Sequence, residues 1–408
     1  MVTPLGNEVE AVFQAVRQGR SALRQYPAEA FSTPEPFFAS LFPLEGRKER
    51  SLFVDISVQA ALKALQEAGV PASSPRLGLV LCSVKGEIEA LGRGDVTLAA
   101  SARKIADELG VRTPPLVVSN ACISGLAGLV EGRRLLMTGL YDKVLVIGAE
   151  VQSRFIVSGF QSLKALSDEG CKPFDASRKG LNLGEAAAAM VLSTSRPTAS
   201  ENYFSGRDPK NQFPDANANP THSCEGPTAS ENYFSGRCQK NQFSAAIANL
   251  ALNGCWEIVE GVIRNDANHI SGPSRTGEGS YQALSYLLPL VERAELAFVS
   301  VHGTATLYND EMESIALDRA GLSELPISAL KGTFGHTMGA AGILESILGM
   351  RSLEEGVVLP VRGFENLGVS RPLRLSAEET PVQGRAFIKL LSGFGGVNGA
   401  LLFRRIDA

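Results

Sequence analysis

Three side chains able to do covalent or acid–base chemistry sit in the same kind of place, the end of an apolar run. Cys122 lies in Leu116-Val-Val-Ser-Asn-Ala-Cys-Ile-Ser-Gly125, between an apolar strand and a helix. A thiol there feels the partial positive charge of the helix start, which favours the thiolate and so nucleophilicity. His302 ends an apolar strand in Val299-Ser-Val-His-Gly-Thr-Ala-Thr306, and His336 follows another in Lys331-Gly-Thr-Phe-Gly-His-Thr-Met-Gly-Ala-Ala-Gly342. The chain has only four histidines, and two of them stand at carboxyl ends of strands, where open α/β sheets place their ligand crevices. Taken singly, each reads as well structurally: a buried small cysteine, a satisfied core histidine. His222, in a repeated segment, and His269, in residues 265–273, read as loop or structural residues. The six cysteines form no C-x-x-C pair, which argues against a zinc knot or a dense disulfide framework.

These residues need elements to position them. Apolar runs short enough for buried strands occur at 77–81, 116–118, 144–147, 188–192, 296–301, 327–330, 387–391 and 400–403. A helix over 124–140 puts Leu126, Leu129, Leu135 and Leu136 near one face, and one over 340–353 does the same with Ile343, Ile347, Leu348 and Met350. Each begins just after a candidate reactive residue. Strand and helix alternate on both sides of the middle, so the chain reads as two α/β halves, 1–195 with the thiol and 246–408 with the two histidines.

Between the halves, at 196–245, residues 197–213 recur at 227–243 with two of 17 positions changed. Rich in Asn, Ser, Gly and Pro and poor in apolar residues, the segment is expected to be a peripheral insertion without its own core. Two copies are too few for a solenoid, which needs about three repeats. A net charge of −4 and 44% hydrophobic residues describe an ordinary globular chain with no global attraction to nucleic acid or an anionic membrane. Apolar stretches fall short of the ~20 residues of a membrane span and no leader is evident, so the cytoplasm is the expected location.

In order along the chain, these motifs resemble the elongating-type β-ketoacyl-acyl-carrier-protein synthases of the thiolase superfamily. The run is Val2-Thr-Pro-Leu-Gly6, the nucleophile motif 121–125, Cys171-Lys-Pro-Phe-Asp-Ala176, Gly184-Glu185, 266–273, His302-Gly-Thr304 with Asp310 and Glu313, Lys331 with Gly335-His336, Glu345, and Gly393-Phe-Gly-Gly396 with Asn398. The resemblance implies a thiolase-like five-layered α-β-α-β-α sandwich of two similar halves. It assigns Cys122 as the acyl acceptor, His302 and His336 as paired donors to a malonyl-derived enolate, and Lys331 with Glu345 as a supporting ion pair. The backbone amides of Cys122 and Phe394 would form the oxyanion hole. It also implies acyl carrier protein as partner, bringing the phosphopantetheine arm, with no metal or cofactor of the enzyme's own. The chain would work as a homodimer, or as a heterodimer with a related ketosynthase or chain-length factor.

Cys122 separates the chain from chain-length factors, and His336 separates it from initiating synthases and thiolases. In that family the segment at 2–6 follows an N-terminal strand, so this strand is expected to be lacking or supplied from elsewhere. Ala186 to Ala189 after Gly184-Glu185, and Ile123 beside the nucleophile, are expected to narrow or redirect the acyl pocket. The basic clusters 47–50 and Arg103-Lys104 are candidate patches for an acidic carrier. Two other readings stay open: a Cys–His acyltransferase or hydrolase, and a degenerate partner subunit.

Overall fold

The computed structural model describes residues 1–44, 51–194, 245–248 and 255–406. The repeated segment and the basic cluster 47–50 lie outside the described residues. Met1–Arg196 and Ser244–Ala408 together form one compact unit.

Ten strands make one mixed sheet built from two halves of the same design. In the first half, β1 (Leu77–Cys82) lies parallel to both β2 (Leu116–Val118) and β3 (Lys143–Glu150), and β3 pairs antiparallel with β4 (Ala186–Ser193). β5 (Ala245–Ala248) adds antiparallel to β4. The second half repeats this pattern: β7 (Leu296–Ser300) lies parallel to β8 (Ile327–Ser328) and β9 (Ala386–Gly393), and β10 (Val397–Ile406) pairs antiparallel with both β9 and β6 (Cys255–Asn265). Antiparallel pairing of β5 with β6 joins the halves.

The halves differ in chain order at one strand. Where β6 precedes β7 in the chain, its counterpart β5 comes after β4, beyond the repeated segment, and Val2 makes an antiparallel bridge to Ala187 farther along the same side. β3, β4 and β9 are buried on both faces, which is why their sequences run apolar without alternation. β6 gave no such signal, because Glu257, Glu260 and Arg264 interrupt it and most of its residues are half-buried.

Helices complete five layers. α1 (Leu52–Glu67) and α2 (Leu98–Leu109) cover the outer face of the first half-sheet. Each starts on a hydroxyl cap: Ser51 accepts from Val54 N–H and Thr97 from Ala100 N–H. A short helix, α4 (Arg154–Ser162), leads toward the site. α5 (Glu278–Leu287) and α6 (Leu307–Arg319) cover the outer face of the second half-sheet. Between the half-sheets lie α3 (Ser124–Met137) and α7 (Ala341–Glu354), packed on each other and on strands of both halves. All of α7 except its last residue is buried, so its sequence carries no polar stripe.

Two glycines set the approach of this central pair. A Cβ at Gly125 would lie 2.6 Å from Gly339 O, and one at Gly342 would lie 2.3 Å from Leu126 N. Both obstacles are backbone and cannot swing away. Gly342→Ala should therefore lower the unfolding free energy by about 1–3 kcal/mol in urea titration. Gly159→Ala, on exposed α4 with nothing near its Cβ position, should raise it by about 0.5–1 kcal/mol. Equal effects of the two substitutions would refute close helix approach as the constraint.

Candidate active site

The thiol sits on a tight elbow after β2. Ala121 adopts φ 45°, a left-handed conformation unusual for a residue with a Cβ, immediately before Cys122. Ser124 holds this turn: its Oγ accepts from Asn120 N–H at 2.8 Å and donates to Ala121 O at 2.6 Å. The backbone N–H groups of Phe394 and of Cys122 itself point at the Cys122 sulfur. Those two amides are the pair expected to form an oxyanion hole, and they come from β-strand and helix ends 272 positions apart (394 − 122).

His302 follows β7 and His336 follows β8, the strand equivalent to β2 in the repeated design. Cys122 and His336 thus occupy matching places in the two halves, each ahead of one of the central helices. One ligand atom from each of Cys122, His302 and His336 lies within 4.8 Å of the others. The two rings meet edge to face at 4.9 Å between centroids. All three side chains are buried.

Each imidazole is held through its backbone or its far nitrogen. His336 Nδ1 accepts from Met338 N–H at 3.3 Å, so its proton is on Nε2, which has no hydrogen-bond partner among the described residues. Its main chain is pinned to the first half, with His336 N–H donating to Asn182 O at 2.7 Å and Gly184 N–H to His336 O at 3.1 Å. Glu313 accepts from the amides of His302 and Gly303, both at 2.7 Å, and Asp310 accepts from those of Thr304 and Ala305. These α6 carboxylates fix the loop that carries His302. The Lys331 ammonium, fully buried, donates to His302 O at 2.6 Å and to Glu345 Oε1 at 2.9 Å, so the expected ion pair is formed and is tied to the first histidine's carbonyl.

The electrostatics favour neutral groups. Burial first, then the nearby ammonium groups of Lys331 and Lys389, hold both histidines well below the usual imidazole range, so both are uncharged at pH 7. Burial also pushes the Cys122 thiol up to about 11, although Lys331 and the two amides pull the other way. The thiolate expected from a helix start is therefore not the resting form: Cys122 lies two residues ahead of Ser124, and desolvation outweighs the helix end. As they stand, the protonated thiol and the His336 Nε2–H present hydrogen-bond donors to the site, an arrangement that suits an anion.

A cavity of about 380 Å³ opens onto the three side chains. Phe160 of α4 and Phe394 stack across it at 5.9 Å, and Leu163, Leu307 and Tyr308 continue the apolar wall outward. Lys164 and Lys179 lie at its rim, and His269 lines it from an exposed loop. Ile123 and the alanines 186–189 do not line it; they are buried in the helix–sheet core, so the expectation that they reshape the pocket does not hold.

Two buried charges went unremarked in the sequence. Glu150, at the end of β3, accepts from Val84, Lys85 and Gly339 amides and from Ser83 Oγ, and so fixes the turn between His336 and α7. Lys389 sits in mid-strand on β9 and pairs with Glu345. The signal was present: a lone charge inside an otherwise unbroken apolar run is costly to bury and calls for a partner.

The chain matches the family models for the N-terminal domain of β-ketoacyl synthase over residues 1–197 and for its C-terminal domain over residues 256–365. It is 25% identical to a 3-oxoacyl-[acyl-carrier-protein] synthase 2 of Vibrio cholerae, with 100% of this chain and 97% of the relative covered. Among solved structures, a β-ketoacyl synthase from Burkholderia phymatum superposes with a TM-score of 0.74 at 23% identity, covering 100% of this chain and 97% of that one. A ketosynthase solved in complex with its chain length factor, from Xenorhabdus doucetiae, gives a TM-score of 0.71 at 21% identity, with 99% and 96% covered.

The protonated thiol has a kinetic signature. Alkylation of Cys122 by iodoacetamide, with Cys122→Ala as the background, should rise about tenfold per pH unit between about pH 7 and 10. A plateau below pH 8 would mean that a neighbouring group ionises the thiol in the resting protein.

Proposed function

The chain belongs to the β-ketoacyl synthase family, and from that membership and the site we propose that it condenses a Cys122-bound acyl group with a malonyl thioester on acyl carrier protein. The product is a 3-oxoacyl thioester for fatty acid, polyene or polyketide assembly. The observation that carries the reading is the His336 Nε2–H, a neutral, unpartnered donor fixed within reach of the nucleophile and a second neutral imidazole.

The first half-reaction transfers the acyl group. Cys122 Sγ attacks the thioester carbonyl while the amides of Cys122 and Phe394 stabilise the oxyanion. The thiol proton passes by way of solvent to the departing pantetheine sulfur, so neither imidazole changes its protonation state in this step. The low proton affinity of both buried rings keeps them neutral, and the site is neutral again once the free arm leaves.

In the second half-reaction the malonyl thioester loses carbon dioxide and its electron pair becomes an enolate. The oxygen of that enolate is met by N–H donors from His302 and His336, which need no reorganisation and are shielded from water. Its carbon attacks the acyl-Cys122 carbonyl, the same two amides hold the second oxyanion, and collapse frees the Cys122 thiolate, which regains a proton from solvent. Lys331 and Glu345 touch no substrate and act by holding the His302 main chain.

Several features support the partners. Exposed apolar groups around the mouth and the ammonium group of Lys164 suit an acidic carrier delivering a pantetheine arm, which would be the only prosthetic group in the reaction, while Lys179 beside it is engaged with Asp168 and Glu169. Arg103 is exposed, while Lys104 is engaged with Glu87. At the sheet edge, β2 leaves one side unpaired among the described residues, with Leu116 exposed, which suits pairing with a second copy or a related subunit. Among the described residues no helix is long and apolar enough to cross a membrane, and we place the reaction in the cytoplasm.

Intact-mass spectrometry tests the whole scheme. Wild type should gain the acyl mass from acyl-carrier protein and lose it to malonyl-carrier protein as carbon dioxide appears; Cys122→Ala should never acylate. His336→Ala should still acylate but release carbon dioxide about 10²- to 10³-fold more slowly. Release of free acid without a new carbon–carbon bond would favour a hydrolase. A wild type that never acylates alone, yet forms a heterodimer by light scattering, would favour a partner subunit.

A further inference from the structure

Lys389 belongs to no motif that led to the site, yet it is among the most deeply buried charges in the molecule. Its side chain is 0% exposed, and Phe387, Ile388, Leu390 and Leu391 around it on β9 are equally inaccessible. Its Nζ donates to Glu345, to Val301 O at 3.0 Å and to Ser300 Oγ at 3.2 Å, with Ser300 O at 3.5 Å. Lys331 uses the other Glu345 oxygen and His302 O. One carboxylate therefore stands between two ammonium groups, and their remaining donors fall on three successive carbonyls, 300, 301 and 302, where β7 leaves the sheet and presents the His302 ring.

We propose that Lys389 is a positioning residue for the decarboxylation step: a built-in cation that ties β9 and Glu345 to the last carbonyls of β7 and so holds His302 where it meets the enolate. This rests on the functional reading above and adds a residue to it.

The chemistry of the cluster agrees. Burial pulls the Lys389 amine down to about 8 while Glu345 pulls it back up, so near pH 7 it still carries its proton. Burial alone would push Glu345 up, but Lys331 and Lys389 outweigh this and keep it ionised. With two cations on one carboxylate the cluster has an excess positive charge, which lowers the proton affinity of both imidazoles and keeps them as neutral donors. An apolar side chain would cost a buried strand less than this arrangement does, so packing alone gives no reason for a lysine here.

The two half-reactions separate positioning from mere stability. Lys389→Met keeps length without charge; it should acylate Cys122 within about threefold of wild type but release carbon dioxide from malonyl-carrier protein about 10- to 100-fold more slowly, through kcat rather than KM. Lys389→Ala leaves a void bordered by oxygens of Glu345, Ser300 and Val301. Methylammonium or ethylammonium should restore part of its decarboxylation rate, and methanol or ethanol should not. The inference is overturned if Lys389→Met turns over like wild type, if both half-reactions fall in equal proportion together with the melting temperature, or if ammonium and alcohol rescue Lys389→Ala alike. Should Lys389→Met not fold, the rescue of Lys389→Ala decides alone. Wild type is measured alongside: if it neither acylates nor decarboxylates, the functional reading itself fails and this inference with it, whereas an active wild type beside an unaffected Lys389→Met removes only the role of Lys389.

Discussion

The site exists because two buried helices can touch backbone to backbone. With Gly125 on α3 and Gly342 on α7, the central pair approaches closely enough that the elbow before α3 and the turn before α7 face one another. Cys122 and His336, matching residues of a repeated design, are thereby brought into one cavity, and His302 is added from the neighbouring strand. A methyl group at either glycine would meet main chain, which cannot be displaced without moving a half-sheet. The catalytic spacing is in this sense a packing constraint before it is a chemical one.

Around that contact, buried charge holds the loops and leaves the reacting groups neutral. Glu313 and Asp310 accept the amides that lead out of β7, and Glu150 accepts the amide that leads into α7. Burial pushes Asp310 up to about 6 and Glu150 and Glu313 up to about 7, the sign expected for carboxylates taken from water faster than backbone donors can compensate. The cations Lys331 and Lys389 depress the imidazoles instead. A thiol that keeps its proton, two uncharged N–H donors and a pair of amides form a pocket suited to an anion that appears only during reaction, which is where preorganised donors contribute most.

The motifs legible in the chain were those in which a reactive residue follows an apolar run: Cys122 and His302 come soon after a strand because the strand periodicity stops there, and His336 follows the helical turn 331–334 that leaves the next strand. Strands buried on both faces, such as β3, β4 and β9, were readable for the same reason. β6 was not, since its half-buried face admits Glu257, Glu260 and Arg264 and erases the pattern. Lys389 was overlooked because its partner Glu345 is 44 positions away and on a helix, a distance over which sequence carries no pairing rule. The expectation that Ile123 and the 186–189 alanines shape the pocket failed because adjacency in sequence to a site residue says nothing about which face of the elbow or strand a side chain takes.

What the amino-acid sequence determined by itself was the inventory and its order: one thiol and two histidines at strand ends, a family signature in register, two α/β halves and an insertion between them. Tertiary structure alone decided the protonation states, the pairing of residues 245–248 between the two half-sheets, and the joining of Lys331, Glu345 and Lys389 into one charged cluster. The physical reason is the same in each case. Residue type and local periodicity act along the chain, whereas desolvation, strand pairing and the cancellation of buried charge depend on which distant segments exclude water together.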